Sequence, residues 1–65
     1  MRRRFSSRQR TVLALRAAGA CERCGGRLGR TFHADHVRPF SKGGPTTLNN
    51  GQALCAACNL RRGAR

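Results

Sequence analysis

His33-Ala34-Asp35-His36-Val37-Arg38-Pro39-Phe40-Ser41-Lys42-Gly43-Gly44, continued through Thr47-Leu48-Asn49-Asn50 to Leu54-Cys55-Ala56-Ala57-Cys58-Asn59, is the stretch from which the fold follows. Thr31–His36 reads as a strand, with Phe32, Ala34 and His36 on one face and Thr31, His33 and Asp35 on the other. Pro39 ends it, and Ser41-Lys42-Gly43-Gly44-Pro45 has the composition of a loop. Thr46–Asn50 fits a single helical turn, and Gln52-Ala53-Leu54 fits a returning strand. A last helix is expected from about Ala56, carrying Cys58, Asn59, Leu60 and Arg62.

Cys55-x-x-Cys58 at the end of this stretch has a counterpart in Cys21-x-x-Cys24-Gly25-Gly26 before it. Each pair places two sulfurs on one turn, which is what each half of a tetrahedral four-cysteine zinc site requires. The gap of about thirty residues exceeds the spacing of a zinc ribbon, so the metal is expected to staple both ends around an inserted hairpin. The glycines after Cys24 let backbone amides approach the sulfurs. Four thiolates leave no open position for water, so this ion is structural.

Upstream, Ser6 and Gln9 have the spacing of a capping box, which predicts a helix from Ser7 to Ala18 with Gly19 as its left-handed stop. Arg2, Arg3 and Arg4 belong to a basic arm over residues 1–5. Residues 6–65 then form one domain, near the length at which a core alone is marginal. Val12, Leu13, Leu15, Leu28, Phe32, Val37, Phe40, Leu48, Leu54 and Leu60 are the expected core, with Phe5 counted among the aromatic residues inside. The fold class is a small zinc-stabilised α+β domain, two strands and a helix preceded by an N-terminal helix.

The 65 residues carry 14 Lys+Arg against two acids, Glu22 and Asp35, for a formal charge of +12. Four thiolates around one dication leave about +10. Self-repulsion on that scale is relieved by a polyanion, and all but one of the bases are arginine, which matches phosphate in bidentate fashion. Nucleic acid is the expected partner. Residues 1–20 have the Arg-rich, acid-free look of a transit peptide, but they are read as part of the domain because the remainder has too little to pack against the metal. No stretch is long and apolar enough to span a membrane. The expected location is a reducing one, the cytoplasm of a prokaryotic or phage-infected cell, where Cys-x-x-Cys pairs hold metals.

Cleaving a phosphodiester requires an activated water, charge to stabilise the transition state and help for the departing oxygen. His36 has the right titration range for a general base. Asp35 is a hard oxygen ligand for Mg²⁺, Mn²⁺ or a similar ion, and Asn59 can add a neutral second oxygen. Neighbours on a strand point to opposite sides, so Asp35 and His36 serve one phosphate only if the strand is distorted or the phosphate straddles its end, and Pro39 and the glycine loop favour such an ending. His33 shares the Asp35 face and is a candidate for the metal shell, a phosphate or the surface. Asn50, just before Gly51, is by itself also a plain turn residue.

The motifs Asp35–Gly44, Thr47–Asn50 and Leu54–Asn59 together resemble the HNH endonucleases, most of all the zinc-stapled branch with two Cys-x-x-Cys pairs around a ββα-metal motif. The resemblance covers about residues 20–63. It implies that His36 is the general base, that Asn50 orients it and braces the loop, and that Asp35 and Asn59 hold one divalent ion beside the leaving oxygen. The products implied are 5′-phosphate and 3′-hydroxyl ends. Two positions depart from the pattern. Asn59 stands where the signature has His, and many members carry Asn there. Gly51 stands where Leu is usual, which is expected to loosen the packing behind Asn50.

Such a unit lays its helix on the minor groove. Arg61 and Arg62, Arg38 and Lys42, and Arg2, Arg3 and Arg4 are the expected phosphate contacts. Phe5, Phe32 and Phe40 look like core, so sequence preference is expected to be weak, with RNA an alternative substrate. One site nicks, and a double-strand break needs a homodimer or two visits. Two other readings fit charge and cysteines: a non-catalytic zinc module that binds nucleic acid, and a nuclease accessory of a larger helicase or phage-packaging complex.

Overall fold

The computed structural model describes residues 3–62; Arg2 and the other terminal positions lie outside the described residues. The elements run α1 (Ser7–Arg16), β1 (His33–His36), a 3₁₀ turn (Phe40–Lys42), a second 3₁₀ turn (Leu48–Asn50), β2 (Gly51–Leu54) and α2 (Ala56–Arg62). This is the expected ββα order behind an N-terminal helix. β1 is shorter than the Thr31–His36 segment, because the chain is still turning at Phe32, whose N–H donates to the Gly29 carbonyl.

The capping box forms as the sequence implies. Gln9 N–H donates to Ser6 Oγ at 3.1 Å, and Ser6 N–H to Gln9 Oε1 at 2.9 Å. The other end of α1 departs from expectation. The helix stops at Arg16, and Ala18 takes the left-handed conformation at φ 56° before Gly19 does at 74°. Ala18 N–H bonds the Leu15 carbonyl and Gly19 N–H the Ala14 carbonyl, a Schellman closure that puts an alanine in the position glycine usually fills.

β1 and β2 are antiparallel, with Ala34 opposite Ala53, Asp35 opposite Gln52 and His36 opposite Gly51. Alternation sorts the hairpin into two faces. Ala34 and Ala53 pack with Phe5, Leu13, Phe32 and Leu48, on the side that receives α1. Leu54 lies on the other face, buried with Cys21 and Cys58 beneath α2. The small hairpin thus separates an apolar core from a sulfur core.

Four expected core residues are exposed: Val12, Leu15, Val37 and Leu60. A hairpin with strands of four residues has room for one α1 side chain, and Leu13 takes it; Phe5 fills the rest. Gly51 is buried, and a Cβ there would come within 3.0 Å of both Leu13 and Phe5 side chains. Its packing is therefore tight rather than loose, because these two residues occupy the volume a leucine would need. Arg16, out of place in an apolar run, lays its guanidinium on the Leu48 and Gly51 carbonyls at 2.9 and 2.7 Å and ties α1 to the turn before β2. Among the described residues no helix is long and apolar enough to cross a membrane.

Candidate nuclease centre and cysteine clamp

The clamp is built from two sequence-distant turns. In the first, Arg23 N–H points at Cys21 Sγ and Gly26 N–H at Cys24 Sγ, each at 3.4 Å, with Gly25 at φ 80° allowing the reversal. In the second, Cys55 precedes α2 and Cys58 lies in its first turn. All four sulfurs lie within 4.8 Å of one another, and Cys24 and Cys55 are 3.8 Å apart. A tetrahedral ion with Zn–S bonds of about 2.3 Å separates its sulfurs by roughly 3.8 Å, so the donors fit a structural zinc.

The protons on this cluster are unevenly held. Burial pushes the Cys21 thiol up, but backbone hydrogen bonds at Cys24, Cys55 and Arg23, with help from the Cys24 side chain, outweigh it and lower it to about 6. Burial raises Cys58, and its contacts with the other three sulfurs and the charge of Cys21 take it to about 12. Negative charge is thus stabilised first where amide N–H groups are aimed. Glu22, inside the first turn, accepts the Ala53 N–H at 2.7 Å while its own N–H donates to the Ala53 carbonyl. That carboxylate fastens the clamp to β2, a role the sequence did not disclose.

The remaining acid, Asp35, is buried on the α2 side of β1. One carboxylate oxygen accepts the His36 N–H at 2.8 Å; the other receives Asn59 Nδ2 at 3.4 Å and lies 3.6 Å from the Arg62 guanidinium. Asp35 and Asn59, separated in sequence by the loop and β2, therefore meet at one oxygen. A hard carboxylate oxygen beside an amide that presents its own oxygen after a half-turn is a donor set suited to Mg²⁺ or Mn²⁺.

His36 points to the opposite face. Its ring lies against Phe5 and Phe40, with centroids 4.7 and 5.7 Å away, and Nε2 is 2.9 Å from Thr46 Oγ1. Thr46 Oγ1 in turn donates to the Arg3 carbonyl at 3.4 Å. A hydroxyl that donates there accepts from Nε2–H, and the tautomer that pairs with it is the one whose basic nitrogen is Nδ1. Thr46 is the partner that sequence reasoning missed; a threonine in a Pro-Thr-Thr loop carries no signal of where it will dock.

Asn50 bonds the loop backbone. Its Oδ1 accepts Arg38 N–H, and its Nδ2 donates to the Arg38 and Pro45 carbonyls at 3.2 and 2.8 Å. Gly44 completes this brace, since a Cβ there would overlap the Arg38 carbonyl. Asn50 thus fixes the loop that carries Thr46, and through it the ring of His36.

Although Asp35 and His36 face opposite ways, both line one cavity of about 670 Å³ that wraps the outer edge of β1. Arg3, Arg4, Arg10, His33 and Ser41 share its wall. Arg10 is held there by the Phe32 ring at 4.5 Å and the Phe32 carbonyl at 3.0 Å, and Arg3 lies 5.5 Å from the Phe40 ring. Of the other arginines and the lysine singled out from sequence, Arg61 is exposed on α2, and Arg38 donates to the Lys42 carbonyl beside the loop. Arg62 turns inward to Asp35 and the Val37 carbonyl.

No curated protein and no solved structure gives a significant match to the chain. The family model described as HNH endonuclease matches residues 21–65, a span that holds both cysteine pairs, the Asp35-His36 strand end and the Asn50 brace. By that match and the ββα arrangement around its clamp, the chain belongs to the HNH endonuclease family.

Proposed function

We propose that the chain is a metal-dependent endonuclease that hydrolyses DNA phosphodiester bonds with little sequence preference, leaving 5′-phosphate and 3′-hydroxyl ends. The observation that carries this reading is the meeting of Asp35 and Asn59 at one carboxylate oxygen, beside a cationic cleft that also holds His36. A divalent ion held by Asp35 and Asn59 would supply positive charge to the scissile phosphate and the departing 3′ oxygen.

The chain's own groups do the rest. His36 takes a proton from the attacking water on Nδ1, while Thr46 holds Nε2 and the Phe5 and Phe40 rings keep the imidazole from swinging. Asn50 holds the loop behind it. Arg3, Arg4 and Arg10 line the cleft and offset backbone charge, and the further arginines set a salt-dependent affinity. None of the three phenylalanines is left as a platform for bases, since Phe5 is buried and Phe32 and Phe40 engage Arg10 and His36. Recognition through backbone and shape follows from this.

The test is a supercoiled plasmid incubated with zinc-loaded protein, with Mg²⁺ or Mn²⁺ present or omitted, beside His36→Ala. Divalent-dependent conversion to open circle, reduced about 10²- to 10⁴-fold in the variant, is the expected result. Tight plasmid binding with no cutting in either ion would overturn it in favour of a non-catalytic binding module. The same assay on a structured RNA decides the nucleic acid.

A further inference from the structure

Asn59 and Arg62 are three residues apart on α2, so the same helical face delivers both to Asp35. Both approach the same oxygen, Oδ2: the amide nitrogen at 3.4 Å and the guanidinium at 3.6 Å. The two charged side chains are 11% and 15% exposed, so water screens this pair far less than a surface pair. The second guanidinium nitrogen reaches the Val37 carbonyl at 3.4 Å, which anchors Arg62 across the end of β1.

We propose that Arg62 is the resident cation of Asp35, that it exchanges with the divalent ion there, and that the released guanidinium then binds a substrate phosphate. The inference rests on the nuclease reading of Asp35 and Asn59. A dication and a guanidinium on one carboxylate oxygen repel each other, so loading of the ion drives Arg62 off. Arg62 has a long, flexible stem in the last turn of α2, and under that reading a phosphate at the strand end is the anion it would meet. The chain would in this way keep its buried carboxylate compensated when no ion is bound. It would also make ion binding and DNA binding reinforce each other, because the ion releases a phosphate ligand.

The prediction separates Arg62 from every other arginine of the surface. In Arg62→Gln, Mn²⁺ measured by calorimetry on zinc-loaded protein should bind roughly fivefold tighter or more, since its competitor is gone. DNA binding, followed in a His36→Ala background to prevent cutting, should lose about one phosphate contact's worth of salt slope, roughly 0.9, in the presence of Mn²⁺ and nothing in its absence. Unchanged or weaker Mn²⁺ binding in Arg62→Gln would overturn the exchange, provided Asp35→Asn still abolishes that binding. If Asp35→Asn leaves Mn²⁺ binding intact, the ion does not sit at Asp35 and the nuclease reading itself fails. Should Arg62→Gln not fold, a Mg²⁺ titration of the wild-type protein observed at the Arg62 Nε–H resonance decides the matter. A saturable shift supports exchange, and an unmoved resonance sinks it.

Discussion

At the clamp the donors converge on one another: four sulfurs within 4.8 Å, backbone amides aimed at two of them, and Glu22 stitched to β2. Along the edge of β1 the charged groups instead face a cavity, with Arg3, Arg4 and Arg10 opposite Asp35 and His36. The same short hairpin serves both, one face packed on Leu54 and sulfur and the other on Leu13 and Phe5. The difference divides stability from chemistry. A closed site holds the fold because its donors meet one another, and an open one leaves its side chains within reach of a ligand.

Breaking the clamp is expected to have the largest effect. Structural zinc contributes on the order of 10–16 kcal/mol in finger peptides, more than a core of Phe5, Leu13 and Ala53 offers. Cys58→Ser, or removal of zinc by chelator, should abolish cooperative thermal unfolding. A circular dichroism melt that stays cooperative would show that the apolar core suffices. The clamp should also be sensitive to acid. Each protonated thiol must release its proton before it ligates, so zinc affinity falls as pH falls. Below about pH 6 Cys21 adds its proton to that competition, and the slope of log affinity against pH should steepen by one. Chelator competition between pH 5 and 8 measures this.

Breaking the cleft should leave the fold standing. Asp35→Asn keeps shape while removing charge, and cleavage should fall by about 10²–10³ or more with zinc content and melting behaviour retained. DNA binding should hold or improve, because a negative charge has left a cationic surface. A variant that instead loses its zinc would show the two regions to be coupled.

Between the two regions stands Gly51, the residue that most clearly separates what sequence discloses from what it does not. By resemblance to the family it stands in place of a leucine; in the fold it is the floor on which Leu13 and Phe5 rest. Gly51→Leu should therefore destabilise by about 1–3 kcal/mol through overpacking, readable as a lower melting temperature. The order of elements was legible because prolines, glycines and the Ser6–Gln9 box punctuate it locally. The clamp was legible because cysteine spacing is itself geometry. The docking of Phe5 into the core, of Glu22 onto β2 and of Thr46 onto His36 was not, since each joins residues far apart in sequence through types that are common on surfaces. The left-handed Ala18 escaped notice for a related reason: Gly19 beside it gave the expected signal one residue late.

The smallest effect expected is at Thr46, and it tests how the open site is ordered. If its hydroxyl accepts from His36 Nε2–H, Thr46→Val removes one hydrogen bond of about 1 kcal/mol and should slow cleavage by roughly five- to tenfold. The loss should fall on kcat and spare KM, because Thr46 touches the base. Thr46→Ser, which restores the hydroxyl, should recover the rate. A merely structural Thr46 would lower the melting temperature and leave kcat where it was. The split between kcat and KM, with rescue by serine, therefore distinguishes a residue that orders the base from one that fills space behind it.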